Sequence, residues 1–204
     1  MTRILVLAKT PVPGRVKTRL CPPWTHEQAA AVAAAALNDT LETVGAGVLV
    51  VDGDHPAPTG WDRIAQRGDQ LPSRLANAFA DAGAGPAVLI GMDTPQVTRG
   101  LLADAAARLA NVDAVLGRAE DGGWWALGLR DPAHAAMLRA IPTSRADTGA
   151  RTLRALQDLG LRVGLLPVLR DVDTVGDARA VAALCPDESQ FRRVVTTLDA
   201  GVPA

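Results

Sequence analysis

The amino-acid sequence predicts an α/β fold in which a mostly parallel sheet carries helices on both faces, giving three layers. Short, continuous apolar runs recur along the chain, and segments with helical periodicity lie between most of them. Such runs are expected for parallel strands that are buried on both faces. Hydrophobic residues make up 48% and charged residues 21% of the 204 residues, which is typical of a globular protein. We therefore expect one domain over residues 1–204.

The predicted strands are rich in β-branched and aliphatic residues. The first two read ILVLA and VLVV, and the third, AVLI, ends at a glycine. The fourth reads DAVL, and the fifth follows an Asp-Gly-Gly segment that suits a turn. A late apolar run supplies the sixth. In chain order the strands are expected at residues 4–8, 48–51, 87–90, 113–116, 124–129 and 163–169, while residues 53–60 form a Pro/Gly-rich loop.

Capping residues mark several of the predicted helix starts. Thr25 and Gln28 have the spacing of a capping box ahead of an alanine-rich stretch. Thr94 and Pro95 suit the N-cap and the first position of a later helix. The predicted helices lie at about 25–44, 72–82, 95–109, 148–159 and 175–198. In parallel α/β sheets ligands bind beyond the carboxyl ends of the strands, so the loops after the strands are the expected site.

The bulk composition excludes several classes of protein. A formal net charge of −1 argues against a nucleic-acid binder, whereas a small anionic ligand needs only a local positive patch. The longest apolar run, residues 29–37, is too short to cross a bilayer, and the first apolar residues are too few for a signal peptide. Two cysteines without a C-x-x-C pair suit a reducing compartment. We expect a cytoplasmic protein that binds no membrane; the sequence indicates no particular oligomeric state.

A basic loop follows the first predicted strand. It carries Lys9, Arg15, Lys17 and Arg19 without an intervening acid, and it holds both of the chain's lysines, whereas the rest of the chain uses only arginine. A flexible ammonium suits contact with a phosphate chain. A solvated loop that happens to be basic is the alternative. The loop lacks the G-K-[ST] of a Walker A motif, and no G-x-G-x-x-G occurs in the chain, which disfavours P-loop NTPases and dinucleotide-dependent dehydrogenases.

Acidic residues end two of the predicted strands. Asp93 follows the third strand in the segment GMDTP, and Asp171 and Asp173 follow the last strand in RDVDT. Carboxylates at the carboxyl ends of buried strands are well placed to hold a divalent cation. The alternatives are an aspartate that hydrogen-bonds its own turn and a pair of helix caps, and Thr174 with Asp177 could already fill the capping role.

The segment DGGWW has two interpretations. Asp121, Gly122 and Gly123 form either a simple turn or part of a ligand pocket. Adjacent strand residues face opposite ways, so Trp124 and Trp125 would occupy opposite faces. We assign Trp125 to the wall of the site, where an indole can stack on a base or a sugar; core packing of both indoles is the alternative.

Taken together, these segments resemble a bacterial family of glycosyltransferase-like proteins with the glycosyltransferase-A fold, many of them of unknown function. The motifs are K-x-P-x-P-G-x-V-K-T-R-L, G-x-D-x-P, D-G-G and D-V-D-T, and they span about residues 3–180. The chain is more distantly similar to the guanylyltransferases of cofactor F420 and molybdenum cofactor biosynthesis. It departs from them by a P-V-P-G insertion and by Trp-Trp where the phospholactate enzymes have Thr-Asn.

The resemblance implies a role for each motif. The first loop would wrap nucleotide phosphates, and the D-G-G loop would contribute to the acceptor or sugar pocket. Asp93 would be a metal ligand, with Asp173 the most suitable second ligand and Asp171 nearby. The residues thereby implicated in nucleotide, sugar or acceptor binding are Lys9, Gly14, Arg15, Lys17, Arg19, Asp121, Gly122 and Gly123.

We therefore expect a transferase that depends on Mg²⁺ or Mn²⁺ and uses an activated nucleotide. One version is nucleotidyl transfer from an NTP to a phosphorylated small-molecule acceptor, with Lys17 and Arg19 stabilising the charge on the leaving group. The other is glycosyl transfer from a nucleotide-sugar, with Asp121 as the base that deprotonates the acceptor. A regulatory domain that binds nucleotide without turnover is the alternative outside enzymes.

Overall fold

The structure, a computed structural model, describes residues 1–201 and contains one seven-stranded sheet and six α-helices within that range. The strands are β1 (Arg3–Lys9), β2 (Val48–Asp52), β3 (Asp62–Ala65), β4 (Ala87–Gly91), β5 (Ala114–Ala119), β6 (Trp124–Leu129) and β7 (Val163–Leu169). The helices are α1 (His26–Val44), α2 (Leu71–Asp81), α3 (Arg99–Arg108), α4 (Thr148–Asp158), α5 (Val175–Leu184) and α6 (Gln190–Ala200). Two 3₁₀ segments lie at Thr18–Leu20 and Pro132–Ala140.

The strand order in the sheet is β3-β2-β1-β4-β6-β5-β7. All neighbouring pairs are parallel except those made by β6, which runs antiparallel to both β4 and β5. The predicted class, a mostly parallel α/β sheet with helices on both faces, is therefore confirmed. Because β6 is reversed, its beginning lies at the sheet edge where the other six strands end.

The apolar strands bury both of their faces. Alternate residues of β1, Val6 and Ala8, pack with α1 and α3 on one side, whereas Leu5 and Leu7 pack with α2 on the other. This two-sided burial is the reason for the continuous apolar runs. A third apolar cluster joins the outer side of α1 to α5 and α6. No helix in the described range is long and apolar enough to cross a membrane.

Three short elements were not predicted, the first of which is the 3₁₀ turn at Thr18–Leu20 within the basic loop. Residues 62–65 form the edge strand β3, in which only Ile64 is partly buried, so the apolar signal of a central strand is lacking. Residues 132–140 form a 3₁₀ segment whose N-cap is Asp131, and the Asp131 side chain accepts a hydrogen bond from the Ala133 N–H.

The start of α3 differs from the sequence prediction. The helix begins at Arg99, and Thr98 is its N-cap, with the Thr98 hydroxyl accepting the N–H of Leu101. Thr94 and Pro95 instead precede the helix in a turn closed by the Val97 N–H and the Thr94 carbonyl. The prediction that Thr94 and Pro95 start the helix is therefore wrong, because a second threonine lies four residues later.

The capping boxes predicted at Thr25 and Thr174 are both confirmed. The helices predicted over residues 175–198 are α5 and α6, which are separated by residues 185–189. Ser189 caps α6, and the buried Asp39 carboxylate accepts hydrogen bonds from the Ser189 hydroxyl (2.6 Å) and the Phe191 N–H (2.9 Å). The start of α6 is thereby fastened to α1.

Candidate functional site

A cleft of about 640 Å³ opens at the carboxyl edge of the sheet. Residues from the ends of β1 and β4, from the β5–β6 turn and from the segment after β7 line it, together with residues 143–146 before α4 and Thr148 at its start. Its acidic lining residues are Asp93, Asp121, Asp171 and Asp173, and its basic lining residues are Arg19 and Arg145. The acidic residues of three sequence motifs therefore meet beyond the carboxyl ends of the strands, where the site was expected.

Lys17 joins three of the motifs. Its ammonium lies 2.7 Å from the Asp93 Oδ1 atom and donates a hydrogen bond to the carbonyl of Val172. The Val172 N–H in turn donates to the Asp93 carbonyl at 2.9 Å. The Lys17 side chain is only 11% exposed, whereas the Asp93 side chain is 45% exposed, so the ammonium is largely shielded from water and the carboxylate still faces the cleft. The basic loop, the GMD turn and the DVD segment are therefore held as one unit.

Arg19 pairs with the second predicted metal ligand. Its Nη1 atom lies 2.5 Å from the Asp173 Oδ2 atom, and the Arg19 side chain is 74% exposed. An exposed pair of this kind contributes little to stability and can separate readily. Lys9, Gly14 and Arg15, which were also predicted to bind phosphate, are exposed and are not among the cleft-lining residues of the described chain.

Asp171 differs from its two acidic neighbours. It is partly buried, and in the described part of the chain neither a side-chain hydrogen bond nor a salt bridge engages its carboxylate. Burial raises the pKa of Asp171 above its ordinary value of 3.8, and the negative charge of Asp121 raises it further. A hydrogen bond from its own backbone and, to a smaller extent, the nearby ammonium of Lys17 lower this pKa, whereas the charge of Asp93 raises it. The site thus holds an aspartate whose charge is poorly compensated.

The D-G-G segment forms the turn between β5 and β6. The Asp121 carboxylate accepts the N–H of Gly123 at 2.7 Å. Gly122 has φ +90°, and a Cβ atom on it would lie 1.9 Å from the Ala146 carbonyl oxygen. The Gly149 N–H donates to the Gly122 carbonyl at 2.8 Å. Gly122 is therefore needed for the close approach of the turn to the start of α4. Of the three D-G-G residues, only Asp121 has a side chain that can take part in chemistry.

The two tryptophans lie in different surroundings. Trp125 is 3% exposed, packs over Gly117, and donates its indole N–H to the Pro167 carbonyl at 2.9 Å. Trp124 is partly exposed, lines the cleft and packs against the apolar cluster on the α2 side of the sheet. Trp125, the residue assigned to ligand stacking from the sequence, also lines the cleft but is mostly engaged in packing, and Trp124 offers more surface to a ligand.

Two further features of the cleft were missed by the sequence analysis. Thr94 is 2% exposed and lines the cleft, and no hydrogen bond within the described residues engages its hydroxyl. The segment Thr143–Arg145 also lines the cleft, at the D-G-G side. A threonine in a turn gives no signal apart from capping, and the segment 143–145 belongs to no recognised motif, so neither feature stood out.

The carboxylate oxygens in the cleft are compatible with Mg²⁺ or Mn²⁺ as a bound ion. Carboxylate oxygens are the ligands that Mg²⁺ and Mn²⁺ prefer. Within residues 1–201, however, no three side chains of the types His, Cys, Asp and Glu are grouped closely enough to form a metal site. Asp93 and Asp173 each pair with a cation as well. The residues therefore fit a site in which one or two carboxylates and the phosphates of a substrate share the ion, as is common for Mg²⁺.

Comparison with known proteins connects the chain to one family and one fold. Residues 29–145 match the family described as "Uncharacterized protein conserved in bacteria (DUF2064)". No curated protein matches the sequence significantly. A solved structure of a candidate nucleotide-diphospho-sugar transferase from Desulfovibrio desulfuricans G20 is 27% identical, with a TM-score of 0.87 over 98% of this chain and 96% of that one.

More distant structures share the fold. A cytidylyltransferase from Leptospira borgpetersenii has a TM-score of 0.56 at 11% identity, covering 98% of this chain and 94% of its own. Rv0371c of Mycobacterium tuberculosis H37Rv, solved in complex with manganese, has a TM-score of 0.53 at 21% identity, covering 89% and 98%. The fold is therefore that of the nucleotide-diphospho-sugar transferases, as the resemblance of the motifs implied.

Proposed function

This chain belongs to the bacterial family DUF2064, and we propose that it is a transferase that uses an activated nucleotide and acts on a small-molecule acceptor. One observation carries the proposal: three separate sequence motifs, represented by Arg19, Asp93 and Asp173, meet in the same cleft at the carboxyl edge of the sheet. The names of the related structures, a nucleotide-diphospho-sugar transferase and a cytidylyltransferase, support it.

The charged residues would have two kinds of role, since some position other side chains and others bind the substrate. Lys17 is buried against Asp93 and Val172, so it holds the acidic residues in place. Arg19 is exposed and held only by Asp173, and it can therefore turn toward a phosphate group at small cost. Asp93 and either Asp171 or Asp173 would hold Mg²⁺ or Mn²⁺, which when bound would neutralise part of the phosphate charge. The manganese in the Rv0371c structure is consistent with this assignment.

Nucleotidyl transfer is the version that the side chains favour. An ionised oxygen of the acceptor forms a bond to the α-phosphorus of an NTP, the bond to the bridging oxygen breaks, and pyrophosphate leaves with the electron pair. Such an acceptor needs no base. Asp121, the base required by the alternative, already accepts a hydrogen bond from the Gly123 N–H within its own turn. Arg19 would stabilise the charge that accumulates on the departing pyrophosphate.

Glycosyl transfer from a nucleotide-sugar is the second candidate. The name of the Desulfovibrio protein favours it, because that structure matches nearly the whole chain. The two reactions differ in their products, since an NTP yields pyrophosphate and a sugar donor yields a nucleoside diphosphate.

Thermal unfolding in the presence of NTPs and nucleotide-sugars, each with Mg²⁺, Mn²⁺ or EDTA, tests the proposal. A nucleotide at about a hundredfold its Kd stabilises the native state by about 2.7 kcal/mol. We expect such stabilisation for at least one nucleotide, with metal required for most of it. In Asp93→Asn the part that depends on metal should disappear, while the protein still melts cooperatively.

Asp104→Asn is the matched control, because Asp104 pairs with Arg108 on the surface of α3. It should keep the metal-dependent stabilisation. Product analysis with the stabilising nucleotide then separates pyrophosphate from nucleoside diphosphate release. Nucleotide binding that ignores metal and yields no product would point to a regulatory domain and overturn the proposal.

A further inference from the structure

The cleft has a second polar surface that no motif accounts for. Residues Thr143, Ser144 and Arg145 line it directly before α4. We call these three residues the α4 approach. Two hydroxyls and a guanidinium thus line the cleft at one point, on the side of the Asp121 turn.

The α4 approach is held firmly in place. The Thr148 hydroxyl donates to the Pro142 carbonyl at 3.0 Å and accepts the Arg145 N–H at 3.3 Å. Behind it, the Gly149 N–H donates to the Gly122 carbonyl at 2.8 Å. Because a bound ligand loses affinity when a mobile loop must first be ordered, a fixed surface of this kind is suited to binding.

The positive charge of Arg145 distinguishes the α4 approach from the acidic remainder of the cleft. Four aspartates line the cleft, and Arg19 is already paired with one of them. Arg145 pairs instead with Asp147, at 3.1 Å, and the same carboxylate accepts a hydrogen bond from Arg151 at 2.7 Å. Asp147 therefore keeps a cationic partner if Arg145 turns toward a ligand. A neutral acceptor would have no need of a cation here, whereas an anionic one would otherwise meet mainly carboxylates.

Trp124 completes the surface. Its partly exposed indole lines the same cleft at the start of β6, next to the D-G-G turn. An indole provides a flat apolar face for the carbon skeleton of a small molecule.

We propose that the α4 approach and Trp124 form the acceptor subsite, and that the acceptor is a small molecule with an anionic group, a phosphate monoester or a carboxylate. The Arg145 guanidinium binds the oxyanion, the hydroxyls of Thr143 and Ser144 donate further hydrogen bonds to it, and Trp124 contacts the carbon skeleton. This inference rests on the proposed function, because it supplies the second substrate of that reaction.

Isothermal titration with three probes tests the subsite: phenyl phosphate, benzoate and the neutral benzyl alcohol. We expect at least one anionic probe to bind the wild-type protein more tightly than benzyl alcohol does. Arg145→Met should weaken that binding about ten- to hundredfold, the loss typical of a charged hydrogen bond. Arg145→Lys should recover part of it. The preference between phenyl phosphate and benzoate identifies the anionic group.

Arg154→Met is the matched control, because Arg154 is an exposed arginine on α4 that is not a cleft-lining residue. It should bind the probes as the wild type does. Equal binding by Arg145→Met and the wild type, or binding of benzyl alcohol as tight as that of both anions, would overturn the inference. So would displacement of the probe by an NTP with Mg²⁺, since the probe would then occupy the nucleotide site.

Failure of the proposed function has a different signature. If the wild-type protein bound no nucleotide but still bound an anionic probe through Arg145, the subsite would stand and the nucleotide-dependent reaction would not. If it bound nucleotide with metal but showed no dependence on Arg145, the reaction would stand and the subsite would not.

Discussion

Lys17 carries a charge in a place that is largely closed to water. Its ammonium contacts the Asp93 carboxylate and the Val172 carbonyl, and the side chain is 11% exposed. An arginine there would keep the charge but would have to fit a longer, planar group into the same space. We expect Lys17→Arg to lower the free energy of unfolding by about 1–3 kcal/mol, the usual loss on overpacking, and to weaken nucleotide binding.

Urea denaturation and titration with the stabilising nucleotide measure the two effects of Lys17→Arg. Arg19→Lys is the control, since Arg19 is 74% exposed and its replacement should change the unfolding free energy by less than about 0.5 kcal/mol. A Lys17→Arg protein as stable as the wild type would show that charge alone matters at this position.

The raised pKa of Asp171 leads to a prediction about how stability depends on pH. Because its pKa is raised in the folded protein, the ionised carboxylate opposes folding, and this opposition is fully present above the raised pKa. It vanishes below the ordinary value of 3.8, where both folded and unfolded forms are protonated. In EDTA at pH 7, Asp171→Asn should therefore melt at a higher temperature than the wild type, and the difference should shrink as the pH falls.

Asp173→Asn provides the comparison for Asp171→Asn. Asp173 is paired with Arg19, so its neutralisation removes an attraction and should give no increase in melting temperature at pH 7. A melting temperature for Asp171→Asn at or below that of the wild type would mean that the Asp171 carboxylate is stabilised by its surroundings.

At the scale of elements, the β5–β6 turn and the start of α4 depend on each other through Gly122. Its φ of +90° disfavours any side chain, and a Cβ atom would also collide with the Ala146 carbonyl at 1.9 Å. We expect Gly122→Ala to lower the free energy of unfolding by at least about 2 kcal/mol, because strain and a backbone clash add. Urea denaturation measures the loss.

Gly60→Ala separates the two causes of that loss. Gly60 has φ +82°, but a Cβ atom there would meet nothing within 4 Å, so only the conformational cost of about 1 kcal/mol applies. If the two variants lost equal stability, the contact between the turn and α4 would contribute nothing.

At the scale of the whole molecule, the sequence predicted most of the fold because six of the seven strands are apolar runs, and all of these except the edge strand β7 are mostly buried. The edge strand β3 escaped, since it is mostly exposed and only four residues long. The site was predictable where a motif ends a strand, as at Asp93 and Asp173. Pairings such as Lys17 with Asp93 and Val172 were not, because they join residues up to 155 positions apart.

The position of the α4 approach was unpredictable for a related reason. Its position in the cleft follows from the close packing of Gly122 against Ala146, which depends on the tertiary structure and leaves no local pattern. Trp124 and Trp125 were equally hard to distinguish, because the register shift at Gly117 and Arg118 interrupts the regular alternation between β5 and β6.

Because β6 is reversed, the residues that line the cleft come from two separate parts of the chain. Residues before the end of α3 supply Arg19 and Asp93, whereas the hairpin that β6 makes with β5, the α4 approach, Asp171 and Asp173 come from the later half. The two groups meet where β4 pairs with β6. Under the proposed function, residues 119–124 and 142–148 can vary in length and composition while the backbone around Asp93 and Asp173 is kept, so that relatives could exchange acceptors and still handle the same nucleotide.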